Sequence, residues 1–277
     1  MPLACVALGM ALAVPVTIAT VRVSRDPESI LYSLRLRLGG APAPSPPAGE
    51  LAYEARWLDP AYGPGGESSG PEQWIVRDFF RDKRNGVFVD VGAADYKLGS
   101  NTWYLETELG WSGIAIDAQD LYRPGWEQHR PRTRFLTFFV SDRSSERARL
   151  HLSQMDPNYA SHVEAFTKRL DPLAQGTLEV PTITLNDVFQ AQGLTDIDFL
   201  SIDIELAEPK ALAGLDAQRY RPRLVCIEAY PQVRQDILNY FARNGYVLLG
   251  HYLRVDLENL WFTPLAGVAG VGSSRLP

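Results

Sequence analysis

The hydrophobic pattern of the chain is clearest between Gly86 and Gly92, where Val and Phe residues form a short apolar run that contains Asp90. The run leaves no room for a helical turn before Gly92, so it predicts a strand buried on both faces. Strands of this kind lie at the centre of parallel sheets, and we place this one there. Gly92 and Ala93 directly after it let the backbone approach a ligand at the carboxyl edge of the sheet.

Apolar runs and helically spaced segments alternate through the rest of the chain. A helix over residues 101–109 and a strand over residues 111–117 follow the first strand. Asp117 ends this unit, and an acid at this position usually accepts hydrogen bonds from ribose hydroxyls. We expect a loop and helix over residues 154–170, covering the carboxyl edge, and assign no element to residues 121–130. Further helices are predicted over 71–81, 184–190, 209–214 and 231–244, and further strands over 134–140, 148–152, 178–183, 198–203, 223–228, 246–250 and 255–262. This order predicts an α/β fold with a doubly wound, mostly parallel sheet and flanking helices.

Carboxyl side chains end several of the predicted strands. Because parallel strands end at the same edge of a sheet, we expect an acidic rim formed by Asp90, Asp117, Asp142, Asp203 and Glu228. Such a rim suits a cationic ligand that is rich in hydrogen-bond donors. A pyrophosphate prefers a glycine-rich turn with free amides, and residues 92–96 lack the spaced glycines. A nicotinamide-dependent oxidoreductase therefore stays as an alternative enzyme class.

Two blocks of the sequence carry a family resemblance. Residues 88–93, 100–102 and 109–113, together with residues 198–205, resemble the FkbM-type family of S-adenosylmethionine-dependent methyltransferases, and the likeness covers roughly residues 70–262. The resemblance implies a Rossmann-like methyltransferase sheet with S-adenosylmethionine as cofactor, and it places Ser141 and Asp142 beside the adenine, although Asp142 also suits the start of a turn. The cofactor-binding candidates are Asp90, Gly92, Ala93, Asn101, Asp117, Asp142 and Asp203.

The resemblance also implies methylation of a hydroxyl on a sugar, a glycan or a secondary metabolite, so the acceptor needs a base. Asp203 and Glu205 are the catalytic candidates because residues two apart in extended chain point to the same side. His162 is a third candidate, if the covering segment folds over the rim. Each has a structural alternative: orientation of the cofactor for Asp203, capping of the next helix for Glu205, and packing for His162. Divalent metal binding by Asp203, Glu205 and Glu228 is also left open.

The sequence departs from the family pattern in its two loops at the carboxyl edge. Ala94 and Tyr96 stand where the family often has Asn and Gly, and Leu206 stands where a Gly usually follows the acid. Tyr96 demands more space than Gly and does not easily adopt the positive φ that Gly allows, so the site could be reshaped or weakened. A membrane-tethered protein that keeps the fold without catalysing a reaction is therefore the alternative from another functional class.

The amino-terminal part differs in composition. Residues 3–21 form an uncharged apolar run that predicts a membrane anchor, with a cleaved signal peptide or a wrongly assigned start as alternatives. Four arginines follow the run and none precedes it, which favours a membrane-associated protein with its catalytic domain facing the cytoplasm. We predict an anchor over 1–22, an amphipathic helix and a Pro/Gly-rich linker over 23–70, and the methyltransferase domain over 71–277.

Composition and charge limit the classes of partner that the chain is expected to bind. The net charge of −6 and the isoelectric point near 5.3 argue against a nucleic-acid partner, because phosphate binding depends on clustered Lys and Arg. The two cysteines, Cys5 and Cys226, are too few for a cysteine-based zinc site and are expected to be small buried hydrophobic residues. The expected partner is a small-molecule or glycan acceptor.

Overall fold

The structure is a computed structural model in which residues 67–265 are described. The central sheet has seven strands in the order β3-β2-β1-β7-β8-β10-β9. These strands are β1 (Val87–Val91), β2 (Ser112–Asp117), β3 (Thr133–Thr137), β7 (Phe199–Ile202), β8 (Leu224–Glu228), β9 (Tyr246–Leu248) and β10 (Asn259–Pro264). All pairs from β3 to β8 are parallel, and β10 pairs antiparallel with both β8 and β9. The predicted mostly parallel sheet is confirmed.

The chain order reverses direction across the sheet at the boundary between β1 and β7. From β1 the chain builds outward through β2 and β3, and it then returns to add β7 and β8 on the other side. The register of this pair runs from Phe88 opposite Phe199 to Val91 opposite Ile202. In doubly wound sheets, ligands bind outside the carboxyl ends of the strands at such a reversal. The topology therefore directs attention to the loops after β1 and β7.

Helices cover both faces of the sheet because alternate strand residues point to opposite sides. Val89 of β1 and Leu200 of β7 belong to the larger hydrophobic core, whereas Phe88 and Phe199 belong to a second core on the other face. Cys226 is buried in that second core, as expected, and Cys5 lies outside the described residues. The helices are α1 (Glu72–Phe80), α2 (Trp103–Thr107), α3 (Arg123–His129), α4 (Glu164–Leu170), α5 (Leu185–Ala191), α6 (Glu208–Ala213), α7 (Ala217–Tyr220) and α8 (Arg234–Arg243).

A second, smaller sheet is inserted between β3 and β7 in the chain. It consists of β4 (Phe139–Val140), β5 (Arg147–His151) and β6 (Thr177–Ile183), with β6 in the middle. The single strand predicted over 134–140 is wrong, since the chain leaves the central sheet at Phe138. The Phe138 N–H still donates to the Asp117 carbonyl at 2.9 Å, but the Ser141 N–H donates to Ile183 of the small sheet at 2.9 Å.

Most other predicted elements are found with shifted ends. The helix predicted over 184–190 is α5, and the Thr184 hydroxyl caps it by accepting a hydrogen bond from the Asp187 N–H at 3.0 Å. The segment predicted as loop and helix contains a 3₁₀ turn, Pro157–Tyr159, followed by α4. The unassigned residues 121–130 contain α3. No helix within residues 67–265 is long and apolar enough to cross a membrane, and the predicted anchor and amphipathic helix lie outside the described residues.

Candidate functional site

A cavity of about 510 Å³ lies at the carboxyl ends of the central strands, where the chain order reverses. The loops after β1, β2, β7 and β8 form its floor, and residues 138–140, Leu150 and residues 156–160 of the inserted part form a wall. Seven carboxyl side chains line it: Asp90, Asp117, Asp156, Asp203, Glu205, Glu228 and Glu258. Within the described part of the chain, no Lys, Arg or His lines it. Four acids of the predicted rim, Asp90, Asp117, Asp203 and Glu228, therefore lie at one cavity, and Asp142 does not.

The turn after β1 is pressed against the loop after β7. Gly92 has a φ of +80°, and a Cβ added to it would lie 1.7 Å from the Asp203 carbonyl oxygen. Two hydrogen bonds hold the turn in place: the Gly92 N–H donates to Ile116 at 2.8 Å, and the Asp203 N–H donates to Val91 at 2.9 Å. A glycine is required here both for the backbone conformation and for the close approach of two main chains.

Asp117 ends β2 and holds the same turn from the other side. Its carboxylate accepts hydrogen bonds from the Ala94 N–H at 3.0 Å and from the Gln119 N–H at 2.8 Å. Burial raises the pKa of Asp117 to about 6, although these two bonds oppose the shift. Each carboxylate oxygen has further acceptor capacity, so Asp117 can stabilise the turn and still bind a hydroxyl donor in the cavity.

Asp90 and Asn101 connect the floor of the cavity to the loop that closes it. The buried Asp90 carboxylate accepts a hydrogen bond from the Thr102 hydroxyl at 2.9 Å, and burial raises its pKa to about 6. The Asn101 amide donates to the Ser201 hydroxyl of β7 at 3.1 Å. Both residues line the cavity, as does Ala93. The structure thus brings together all but one of the predicted cofactor-binding residues.

A buried arginine braces this loop from behind. Arg130, at the end of α3, is 1% exposed and donates five hydrogen bonds, to Glu106, to the Tyr96 carbonyl, to Ser100 and twice to Thr102. Five N–H groups are all that a guanidinium has. Its positive charge is paired with Glu106 at 2.7 Å, so it serves the loop and does not neutralise the cavity acids by contact.

Asp203, Glu205 and Glu228, here called the carboxylate trio, meet at the opposite end of the floor. Each offers one carboxylate oxygen, and these oxygens all lie within 4.8 Å of one another. Asp203 and Glu205 come from the loop after β7, and Glu228 is the last residue of β8. Because β7 and β8 are parallel neighbours, their ends place these side chains at one point.

Burial shifts the pKa of every member of the carboxylate trio upward. Asp203 faces the open cavity, yet the surrounding protein raises its pKa to about 6. Burial and then the charge of Asp203 raise the pKa of Glu205 to about 9 and that of Glu228 well above its usual range. The pKa of Glu208 is also raised by burial, to about 8.

Two predicted site residues are not at the cavity. Asp142 is exposed beyond the end of β4, where it accepts a hydrogen bond from Ser141 at 3.0 Å, and it is absent from the lining. The chain leaves the central sheet at Phe138, so the Ser-Asp pair follows the small sheet and not the rim. His162 packs edge-on against Phe139 with 5.9 Å between ring centroids, and burial lowers its pKa to about 4. His162 therefore has the packing role that was its structural alternative. Its neighbour Ser161 donates a hydrogen bond to the Glu205 carbonyl at 2.6 Å.

The departures from the family pattern fall on special backbone positions. Ala94, Glu205 and Leu206 have positive φ values of 44°, 52° and 78°. Ala94 and Leu206 therefore have a backbone conformation that a Cβ disfavours. Tyr96 is not among the positive-φ residues, and its ring stacks on His129 with 4.6 Å between centroids. The loops adopt a left-handed conformation at a conformational cost, which is a frequent property of functional sites.

A pair of substitutions measures that cost. Ala94→Gly should be more stable than Ala93→Gly by about 1–2 kcal/mol, because only Ala94 has the left-handed conformation that a Cβ disfavours. Both changes increase the entropy of the unfolded chain equally, so the difference reports the strain at Ala94 together with the packing that the buried Ala93 methyl loses. Urea unfolding of both variants is the measurement. Equal stabilities would mean that Ala94 is not strained.

Several lining or supporting residues escaped the sequence analysis. Tyr230 and Glu258 line the cavity, and the Tyr230 hydroxyl hydrogen bonds lower the pKa of Glu205 and Glu228. Tyr230 lies two residues after Glu228, the acid that ends a predicted strand, so its position could have been used to place it at the rim. Glu258 precedes an antiparallel strand and Arg130 lies in an unassigned segment, so neither had a pattern that pointed to the site.

The chain resembles known proteins at two levels, a domain family and solved structures. A model of the Methyltransferase FkbM domain matches residues 90–248. No curated protein sequence gives a significant match. Solved structures with a similar fold include a TehB-like SAM-dependent methyltransferase from Corynebacterium glutamicum, with 17% identity, a TM-score of 0.41, and coverage of 79% of this chain and 100% of that chain. Another is a SAM-dependent methyltransferase from Geobacter sulfurreducens in complex with S-adenosyl-L-homocysteine, with 12% identity, a TM-score of 0.37, and coverage of 73% and 77%.

Proposed function

This chain belongs to the FkbM methyltransferase domain family, and from that premise we propose that it transfers a methyl group from S-adenosylmethionine to a hydroxyl group. The observation that carries the cofactor proposal is the charge of the cavity, which has seven carboxyl side chains in its lining. A sulfonium and an ammonium group are attracted to such a surface, whereas a pyrophosphate is repelled. The nicotinamide-dependent alternative receives no support from the family match or from this lining.

The cavity fits a nucleoside-sized cofactor. Its volume of about 510 Å³ is within the range of about 300–1,000 Å³ that is usual for small-ligand sites. Asp117 is the proposed acceptor for the ribose hydroxyls, and Phe138 offers an apolar surface for the adenine in place of the predicted Asp142. Asp90 and Asn101 are proposed to hold the amino-acid end of the cofactor, near Gly92.

When bound, S-adenosylmethionine supplies a methyl group that is already activated by the sulfonium. The chain then has to align the acceptor, exclude water and remove one proton from the acceptor hydroxyl. Asp203 is the proposed base because it faces the open cavity, whereas Glu205 is partly buried and its pKa is raised further, first by burial and then by the charge of Asp203. Glu205, two residues along the same loop, lines the cavity beside it and is proposed to position the acceptor.

The inserted part of the chain is the proposed acceptor wall. Residues 138–140 and 156–160 line the cavity opposite the carboxyl ends of the central strands. The Ser161 hydroxyl ties this wall to the loop after β7 through its hydrogen bond to Glu205. The proposed acceptor is a sugar, a glycan or a secondary metabolite. Membrane association through residues 3–21 and a cytoplasmic catalytic domain stay predictions from the sequence.

Cofactor binding tests the proposal directly. Titration calorimetry with S-adenosylhomocysteine should detect binding to the full chain. Asp117→Ala should weaken it at least about tenfold, because one hydrogen bond to a charged group contributes about 1.5–3 kcal/mol. The matched control is Asp120→Ala, an exposed carboxylate that does not line the cavity. Near-ultraviolet circular dichroism shows whether each variant keeps its fold.

Each failure has a distinct meaning. Unchanged affinity in a folded Asp117→Ala variant would show that the ribose lies elsewhere. Absence of binding to the unmodified chain at millimolar ligand would overturn the cofactor proposal. It would favour the alternative of a protein that keeps the fold without turnover.

A further inference from the structure

We propose that the carboxylate trio of Asp203, Glu205 and Glu228 binds one hard divalent cation, of the size of Mn²⁺ or Ca²⁺, at the acceptor side of the cavity. Three carboxylate oxygens from three residues already lie within 4.8 Å of one another. Any two ligands of an ion such as Ca²⁺, with metal–oxygen distances of about 2.3–2.6 Å, are at most about 4.6–5.2 Å apart. The oxygens of the free protein are therefore at the separations that ligands of such an ion have.

Unpaired oxygens at the site support the proposal independently of the clustering. Glu228 is 9% exposed, and its Oε2 is shielded from solvent without a hydrogen-bond partner. The Oε2 atom of Glu205 is likewise shielded and unpartnered. A buried carboxylate oxygen without a partner costs free energy, and native proteins rarely keep one unless something binds there.

Among the described residues, basic side chains do not take the place of a cation beside the carboxylate trio. Within residues 67–265, none of the trio forms an ion pair with Lys, Arg or His. Arg169 is close enough to lower the pKa of Glu205, but its guanidinium stacks on Phe166 at 4.9 Å from the ring centroid. In the described part of the chain, the trio therefore offers three carboxylate ligands that no basic side chain pairs with directly.

The ligand set selects the class of ion. All three donors are carboxylate oxygens, which suit Ca²⁺, Mg²⁺ and Mn²⁺, whereas Zn²⁺ sites usually include nitrogen or sulfur. Asp203 faces the cavity, so an ion can enter from solvent and retain open coordination positions. An acceptor hydroxyl is a suitable ligand for one of these positions. The role of the acceptor hydroxyl as a ligand rests on the proposed function, whereas cation binding itself does not.

The test uses the full chain after removal of metal with a chelator. Titration with Mn²⁺, followed by the electron paramagnetic resonance signal of the free ion, should show one saturable site per chain from which Ca²⁺ displaces Mn²⁺. Glu228→Gln should weaken Mn²⁺ binding on the order of tenfold or more, since even outer-shell changes around metals cost 10–100-fold. Glu146→Gln is the control, because it removes an exposed carboxylate that does not line the cavity and should leave the affinity unchanged.

Folding and cofactor binding are followed on the same samples. If Glu228→Gln does not fold, Glu205→Gln takes its place, as Glu205 is only partly buried. Absence of a saturable Mn²⁺ site, or a site that is unchanged in the folded trio variants, overturns the inference. Binding of S-adenosylhomocysteine without Mn²⁺ binding would contradict only this inference, whereas Mn²⁺ binding without S-adenosylhomocysteine binding would contradict only the proposed function.

Discussion

Gly92→Ala is expected to destabilise the protein by at least about 3 kcal/mol and to abolish cofactor binding. A Cβ at this position would lie 1.7 Å from the Asp203 carbonyl oxygen and 2.8 Å from its carbonyl carbon. Both atoms belong to main chain that is hydrogen-bonded to β1, so they have no side-chain freedom with which to move away. The tips of β1 and β7 would have to separate, and the cavity floor lies between them.

A control separates the clash from the backbone conformation. Gly193 has a φ of +65° and no atom within 4 Å of an added Cβ, so Gly193→Ala should cost only about 1–2 kcal/mol. Urea unfolding of both variants, with S-adenosylhomocysteine titration of whichever folds, is the measurement. If Gly92→Ala were no less stable than Gly193→Ala, the two strand tips would not be in contact in solution.

Asp203→Asn is expected to lower kcat for methyl transfer by about 10²–10⁴-fold, the usual contribution of a positioned general base. Because the pKa of Asp203 is raised to about 6, its ionised form is lost as the pH falls through 6. In buffer free of divalent cations, kcat of the unmodified chain should therefore decline on the acid side of pH 6. The Asn variant should lose this decline together with most of its activity.

The neighbouring acids serve as comparisons for this prediction. Glu228→Gln should reduce kcat less than Asp203→Asn, because Glu228 is only 9% exposed whereas Asp203 faces the cavity in which the acceptor is proposed to bind. Glu258→Gln should change kcat little, as Glu258 is an exposed acid of the same cavity. A larger loss for Glu228→Gln than for Asp203→Asn would assign the base to the end of β8.

Sequence patterns were sufficient for the central sheet because its strands obey simple rules. The run around Val89 is uniformly apolar and bounded by glycines, and such a run has few alternatives to a buried parallel strand. The helix after Thr184 was equally accessible, since its cap is a local interaction. The break at Phe138 was not predictable, because the apolar pattern continues through it and only long-range hydrogen bonds to Asp117 and Ile183 decide where each part pairs.

The site shows the same division between local and long-range information. Asp90, Asp117 and Asp203 were found because they end parallel strands, and topology alone brings such ends together. Asp142 ends a strand by the same pattern, but the strand belongs to the other sheet. The contribution of the inserted wall depends on how it packs over the edge. That packing is set by tertiary contacts such as the one between Ser161 and Glu205.

The loop braced by Arg130 has a thermodynamic consequence for ligand binding. All five N–H groups of the guanidinium are used on residues 96–106, and the side chain is sealed between the loop and the Trp126 ring, 4.4 Å from its centroid. The loop therefore gives up its conformational entropy when the protein folds, and ligand binding does not have to remove that entropy a second time. Arg130 therefore contributes to affinity for the proposed cofactor by fixing the loop in advance, although it does not line the cavity.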